Sequence, residues 1–486
     1  GVRYDLPFPY TEARNRQTLW IPGRQSTVMP DAPPGLLYPG DHGVPAGLIP
    51  TFKKAFAPRV GIAWDPTGAA KWLVTSAYGI YYEPYYTGQG GPLQSPISAP
   101  PYLQTEQISL TPSSPLIFND PYNGPPPPAG TFATPLTNLT LAPNLPLPYA
   151  QDWDLTVQRS LGQDLLLEVG YVGTKGTKLP RMIEGNPAVY IPGQSTTDNV
   201  DQRREHSGCT LGDPESACEY ASTGLIAGVA GSSYNALEAS LRKRFSGGLS
   251  FLASYTYSKA IDDVSSFNIA GSSSIQVAGE NDLAQDPRNL AAERGPSLFD
   301  TRHRLVFSYQ WSLPFWQQQE TWYQHVLGGW QLNGIVAAMS GTPFTVFDSR
   351  DASVQGSAPE ITGFSANRPN LVSGQNPNDG PRTVGAWLNA SAFSRVIPDI
   401  NSPVQQFGTA GRNIALGPRY SNWDLGIAKN FRVAESKDLQ FRAEFFNVLN
   451  HTNFYLPNSD ISSPTFNQVL KAEPPRLVQL ALKFLF

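Results

Sequence analysis

The chain has 486 residues, of which 15% are charged and 11% aromatic, and it carries 46 prolines and 43 glycines. Such a chain is too aromatic to be disordered and too rich in Pro and Gly for long helices. Its net charge of -4 offers no electrostatic basis for binding nucleic acid, and no uninterrupted apolar run nears the length a membrane helix needs.

Hydrophobic periodicity of two organises the rest. The N-terminus, Gly1-Val2-Arg3-Tyr4-Asp5, has neither Met nor a signal peptide, and Gly1 to Leu6 reads as the end of a strand. A processed chain or a fragment of something longer is expected. Pro58 to Asp65 and Lys71 to Glu83 then flank the turn Pro66-Thr67-Gly68. Asp152 to Leu161 and Asp164 to Gly173 flank Gly162-Gln163, and Tyr234 to Phe245 and Leu249 to Lys259 flank Ser246-Gly247-Gly248. Arg302 to Trp311 and Trp330 to Met339 are joined through Pro314, and Asn422 to Arg432 and Leu439 to Val448 through Ala434-Glu435-Ser436. The pattern predicts about a dozen strands, mostly paired by tight turns.

The last strand alternates most clearly. Val478, Leu480, Leu482, Phe484 and Phe486 share one wholly apolar face, opposite Leu477, Gln479, Ala481, Lys483 and Leu485. The remaining connections are long: 7–57, 84–151, 174–233, 260–301, 340–421 and 449–475, rich in Pro, Gly, Ser and Asn. Loops of this length argue against strands inside a compact soluble domain. In an outer-membrane β-barrel, short turns on the periplasmic side alternate with long extracellular loops. The expectation is therefore an all-β, antiparallel transmembrane barrel, its final strand running from outside to the periplasmic rim. A polar lumen and an apolar lipid face fit Leu305, Phe307, Tyr309 and Trp311 opposite Arg304, Ser308 and Gln310. A soluble sandwich shows the same alternation with faces reversed, although its strands usually run nearer five or six residues. Tyr81, Tyr82, Tyr85, Tyr86, Trp311 and Trp330 are placed for interfacial girdles.

Cys209 and Cys218 are the two cysteines, close together in a polar segment. They predict a small disulfide-closed loop in an oxidising compartment, since exposed free thiols are usually avoided.

Several segments resemble the barrel of TonB-dependent receptors, in particular the Oar-like branch with a carboxypeptidase-regulatory-like N-terminal domain. They are 56–68 with 77–83, 234–245 with Ser254-Tyr-Thr-Tyr-Ser-Lys259, Asp300-Thr-Arg-His-Arg304, Gly329-Trp-Gln-Leu-Asn-Gly334 with Ser340-Gly-Thr-Pro-Phe344, and 444–454. The resemblance implies that 1–486 is the C-terminal part of a 22-stranded barrel. Signal peptide, regulatory-like domain and plug with its TonB box would lie outside this sequence. It further implies Phe484 and Phe486 as the terminal aromatics read by the barrel-assembly machinery. Outer-membrane lipid, TonB acting through the plug and an unidentified imported ligand would be the other partners.

No enzyme and no cofactor are expected. The histidines 42, 206, 303, 325 and 451 show no metal-ligand spacing, and there is no Gly-x-Ser-x-Gly elbow. Gly224, Gly228 and Gly231 lack the strand-turn-helix setting of a nucleotide loop. Asp262, Asp263, Asn281, Asp282 and Asp286 suit turns and caps better than calcium. An energy-coupled uptake receptor of the outer membrane leads; a structural or adhesive barrel displaying its loops and a secreted, soluble β-rich glycan binder or enzyme are the alternatives.

Overall fold

The computed structural model describes residues 1–83, 101–102, 130–132, 134–213, 215–265, 283–315, 321–356, 367–434 and 437–485. Twelve of its strands follow one another in chain order as one antiparallel meander. They are β1 (Val2–Asp5), β2 (Ala55–Trp64), β3 (Trp72–Tyr82), β4 (Tyr149–Leu161), β5 (Leu165–Glu184) and β6 (Tyr220–Ser246). β7 (Leu249–Asp262), β8 (His303–Ser312), β9 (Trp330–Met339), β10 (Tyr420–Ala434), β11 (Lys437–Phe446) and β12 (Leu477–Leu485) complete it. Among the described residues the sheet is open, with β1 and β12 at its two edges.

Turn chemistry sets the short-turn rim. Between β2 and β3, Asp65 accepts the amides of Thr67 (2.9 Å), Gly68 (3.0 Å) and Ala70 (2.8 Å), which folds the chain back within a few residues. Between β6 and β7, Gly247 and Gly248 both take positive φ, 57° and 82°, which a side chain would resist. Between β8 and β9 the turn contains a short helix, α1 (Trp322–Leu327), at whose start the Gln324 side-chain oxygen accepts the Thr321 amide at 3.0 Å.

The ladder carries the alternation across the sheet. Trp64, Val74, Val157, Val169, Ala239, Tyr255 and Leu305 are successive cross-strand partners, so they share a face. Thr75, Thr156, Gly170, Glu238, Thr256 and Arg304 form a row on the opposite face. Phe307 lies with Leu305, and Leu480, Leu482 and Phe484 continue that face through Ala443, Phe441 and Leu439. Arg442, Glu444 and Gln479 lie on the other. The strands form a single layer in which Leu480 and Leu482 are each 67% exposed, which excludes a two-sheet sandwich with those residues in its core. Gly173 opposes Trp153, whose indole occupies the space a Cβ would need, 2.3 Å away.

Two expectations need correction. The segment 174–233 is not a loop throughout: β5 runs to Glu184 and β6 begins at Tyr220. Their outer halves are enclosed by other segments rather than two-faced, so they show no alternation. Gly224, Gly228 and Gly231 therefore lie within a strand, where a Cβ on Gly228 would meet Pro146 Cγ at 2.6 Å. Tyr81 does not join an apolar girdle either. It belongs to the polar-face row of Ala150, and its ring stacks under the Arg59 guanidinium at 4.3 Å. Tyr82 packs against Phe52 and Tyr149 instead, and Tyr85 and Tyr86 lie outside the described residues.

The buried apolar cores sit in the long connections. One gathers Leu19, Leu37, Leu48, Ile49, Leu141 and Ile226, and beside it lie Trp20, Leu36, Tyr38 and Tyr220. The strand Leu136–Leu141 runs parallel to the outer half of β6, and Leu19–Trp20 pairs in turn with it. A second core gathers Phe344, Val346, Trp387, Leu388, Phe393 and Val469.

The two faces predict opposite tolerance. In the full-length protein in lipid vesicles, Val336→Arg on the apolar face of β9 should lose about 2–4 kcal/mol of unfolding free energy in urea. Ala337→Arg, one residue on and facing the polar side, should stay within about 0.5 kcal/mol. Equal losses would contradict the assignment of faces.

Candidate ligand path: the polar wall and the loop layer

Beyond β6 the polar face is concave. A depression of about 730 Å³ opens there, with Arg242, Ser250, Ser308, Gln310, Asn333, Asp424 and Glu444 in its lining. These residues come from β6 to β11 at every second position, so the strand period alone brings them together. Some are tied locally: Arg442 donates to Glu444 (2.7 Å), Asn422 to Asp424 (2.9 Å) and, farther along the face, Gln158 to Glu168 (2.6 Å). Arg242 and Arg304 make no salt bridge among the described residues. The wall thus presents donors, acceptors and charges of both signs, interspersed with the apolar side chains of Leu252, Ile335 and Phe446 on the same face.

Above the wall, buried arginines fasten the long connections to one another. Irregular backbone has no ladder to satisfy its carbonyls, and a guanidinium offers five donors in a fixed fork. Arg203 donates to Val189 O (2.8 Å), Thr196 O (2.9 Å) and Val354 O (2.6 Å), joining the connection after β5 to that after β9. Arg368 grips Glu293 with both terminal nitrogens, at 2.9 and 3.1 Å, and its Nε reaches Ala410 O at 2.9 Å. Arg412 bonds Glu293 O (2.8 Å), Asp262 O (2.6 Å) and the Asp262 carboxylate. Asn467, after β11, accepts the Trp387 amide (3.1 Å) and donates to Leu388 O (2.9 Å). Four of the long connections are joined in this way.

The charges respond to this setting. Burial opposes ionisation of Glu293, but the Arg368 field and hydrogen bonds outweigh it and hold the carboxyl below its ordinary range. At Glu184 burial wins over Arg204, 3.5 Å away, and the pKa is raised. Asp262 is engaged by Arg412 and by Ser265 Oγ (2.8 Å), and Asp263 accepts the Gly231 amide (2.7 Å). Asp286 accepts the Arg288 amide (2.9 Å), which is turn chemistry; Asn281 and Asp282 lie outside the described residues.

Cys209 and Cys218 form a disulfide, S–S 1.99 Å, in the connection after β5. Phe484 lies on the apolar face opposite Leu439 and is 49% exposed, and Phe486 lies outside the described residues. The arginine ties were not visible in the sequence, because Arg203 and Val354 are 151 residues apart and no motif marks either.

Arg368→Ala strands a buried carboxylate and should destabilise the loop layer by about 3–5 kcal/mol. Limited proteolysis of the folded, membrane-inserted protein should cut segments 283–300 and 367–412 first, with the barrel wall intact. The folded-state pKa of Glu293 is depressed, so its stabilising contribution is complete above the usual glutamate range. It is lost as pH falls through the lower, folded value. Hydrogen exchange of those segments, corrected for intrinsic pH dependence, should therefore accelerate on acidification below about 4. Unchanged protection in acid would contradict this role.

Residues 1–479 match the family model described as the outer membrane beta barrel domain. No curated protein matches the chain. Among solved structures it is similar to the outer membrane transporter YddB from Escherichia coli, with 10% identity over 88% of this chain and 40% of that one, TM-score 0.44. It is also similar to BauA, the ferric preacinetobactin receptor from Acinetobacter baumannii (11% identity, 90% of this chain, 37% of that one, TM-score 0.37). The ferripyoverdine receptor of the outer membrane of Pseudomonas aeruginosa is another such neighbour (9%, 90%, 34%, TM-score 0.37). The chain thus spans 40% or less of the length of these three structures. By its match along almost the whole sequence, the chain belongs to the outer membrane beta barrel domain family.

Proposed function

We propose that this chain forms the greater part of the wall and the extracellular loop layer of an energy-coupled uptake receptor of the Oar-like, TonB-dependent type. The observation that carries the reading is the polar wall lying beneath loops that are fastened to each other. A ligand captured by the loops would pass down a face already lined with Arg242, Asp424 and Glu444. The chemistry is recognition and passage, with no bond made or broken by the protein. The open edges at β1 and β12 suit a wall that closes through further strands, up to the 22 of the resembled receptors, because unpaired strand edges are not tolerated in lipid. A plug supplied from outside this chain would meet TonB.

The test is whole-cell uptake of three labelled panels, ferric siderophores, oligosaccharides and oligopeptides. Cells with and without the full-length gene are compared, each with and without a protonophore. One panel should lose uptake both on deletion and on de-energisation. If deletion alters only surface adhesion and leaves every panel unchanged, the barrel is a display scaffold.

The C-terminal aromatics are proposed to act in assembly. Burying one Phe is worth roughly 1.5–3 kcal/mol, small for a barrel of this size. Deleting Phe486 from the full-length protein should lower its amount in the outer membrane, while inserted molecules melt almost normally. Wild-type abundance of the deletion variant would remove the assembly role.

A further inference from the structure

Lys429 stands on the apolar, lipid-facing side of β10, between Trp330 and Phe441 in the row that ends at Leu482. An ammonium there would face hydrocarbon, yet it is only 1% exposed. Its Nζ donates to three backbone carbonyls, those of His325 (2.5 Å), Val326 (2.9 Å) and Gly328 (2.6 Å). All three belong to the C-terminal end of α1, where helix carbonyls lack internal partners and favour a cation. Trp330 and Phe431 flank the same ammonium, with ring centroids 5.3 and 4.8 Å from Nζ, and Trp330 Nε1 donates to Val326 O at 3.0 Å. The C-terminal end of α1 is therefore tied to the outer surface of the wall at the short-turn rim.

One side of α1 is apolar, while His325 on another side is also exposed. Trp322, Tyr323, Val326 and Leu327 fall one turn apart in pairs, so they share a face, and they are 78%, 42%, 52% and 50% exposed. The sheet row to which Lys429 ties the helix ends at Leu482, 67% exposed, and the next apolar row at Phe484, 49% exposed. We propose that α1 is an interfacial anchor lying in the headgroup–acyl boundary of the periplasmic leaflet, pinned to the wall by Lys429. Trp322 and Tyr323, aromatic with polar tips, suit that boundary, Val326 and Leu327 add apolar area, and the lysine supplies the charge the helix end favours. The helix thereby extends the membrane footprint of the barrel beyond its strands. The inference rests on the outer-membrane location and not on transport.

Nitroxide labels attached to Trp322→Cys, Val326→Cys and Leu327→Cys in the full-length, unreduced protein test this in phosphatidylethanolamine/phosphatidylglycerol vesicles. Collisions with oxygen should exceed those with a water-soluble nickel chelate several-fold at all three positions. An Ala69→Cys label, in the turn between β2 and β3, should show the reverse preference. Adding Lys429→Met should raise the mobility of the 327 label and shift it toward the aqueous preference. A nickel preference at 326 and 327 equal to that at 69 would overturn the anchor, as would shielding seen only in cells, which would indicate a periplasmic protein on this face. An unchanged 327 signal in the Lys429→Met background would overturn the pinning.

Discussion

The backbone of a wall in hydrocarbon has no water to bond, so each N–H and C=O must find its partner on the neighbouring strand. This one requirement orders the rest of the molecule. It demands an antiparallel ladder from β1 to β12, which locks the register of each strand to the next except at irregularities near the ends of the β6–β7 and β10–β11 pairs and in the outer part of β5–β6. Once register is locked, period-two alternation along one strand becomes a continuous apolar sheet face on one side and a polar one on the other. Neither face needs a second protein layer, because lipid and water are the two layers. A soluble β protein inverts this arrangement and keeps its apolar face against protein.

The loop layer solves the opposite problem. Outside the bilayer the chain is irregular, and its carbonyls cannot rely on a ladder. The arginines Arg203, Arg368 and Arg412 supply donors from side chains, while two apolar cores exclude water around them. The protein therefore keeps its conventional hydrophobic interior above the membrane and builds its membrane part with none. Stability in the two regions has different sources: solvent exclusion by lipid in the wall, and packed side chains with paired charges in the loops. Loss of one need not entail loss of the other.

Most of the wall was legible from residues alone, because its environment is two-faced. β8 and β12 alternate cleanly, and their observed bounds lie within a residue or two of those expected. The outer halves of β5 and β6 were illegible for a physical reason. They are wrapped by Leu136–Leu141 and other loop segments, so small residues such as Gly224, Ala227 and Gly228 replace the alternation. Tyr81 misled because aromatic residues near strand ends serve lipid or a cation equally well, and only register shows which. The candidate site divides the same way. Its wall residues follow from alternation, whereas Arg368 and Glu293 are 75 residues apart and meet only through tertiary folding.

β6 passes through all of these surroundings in its 27 residues. At Leu237 it is half-exposed toward lipid, and at Ile226 it is fully enclosed in the loop core. Its span is about 90 Å if fully extended, several times the apolar band of a barrel. One continuous hydrogen-bonded element thus belongs mechanically to the wall and thermodynamically to the loops. A force pulling on the loop layer would be borne along the strand axis, in shear across many ladder bonds at once, and not peeled off one bond at a time. The long strand is a stiff tether, and the surface layer stands on it as on a mast stepped through the deck.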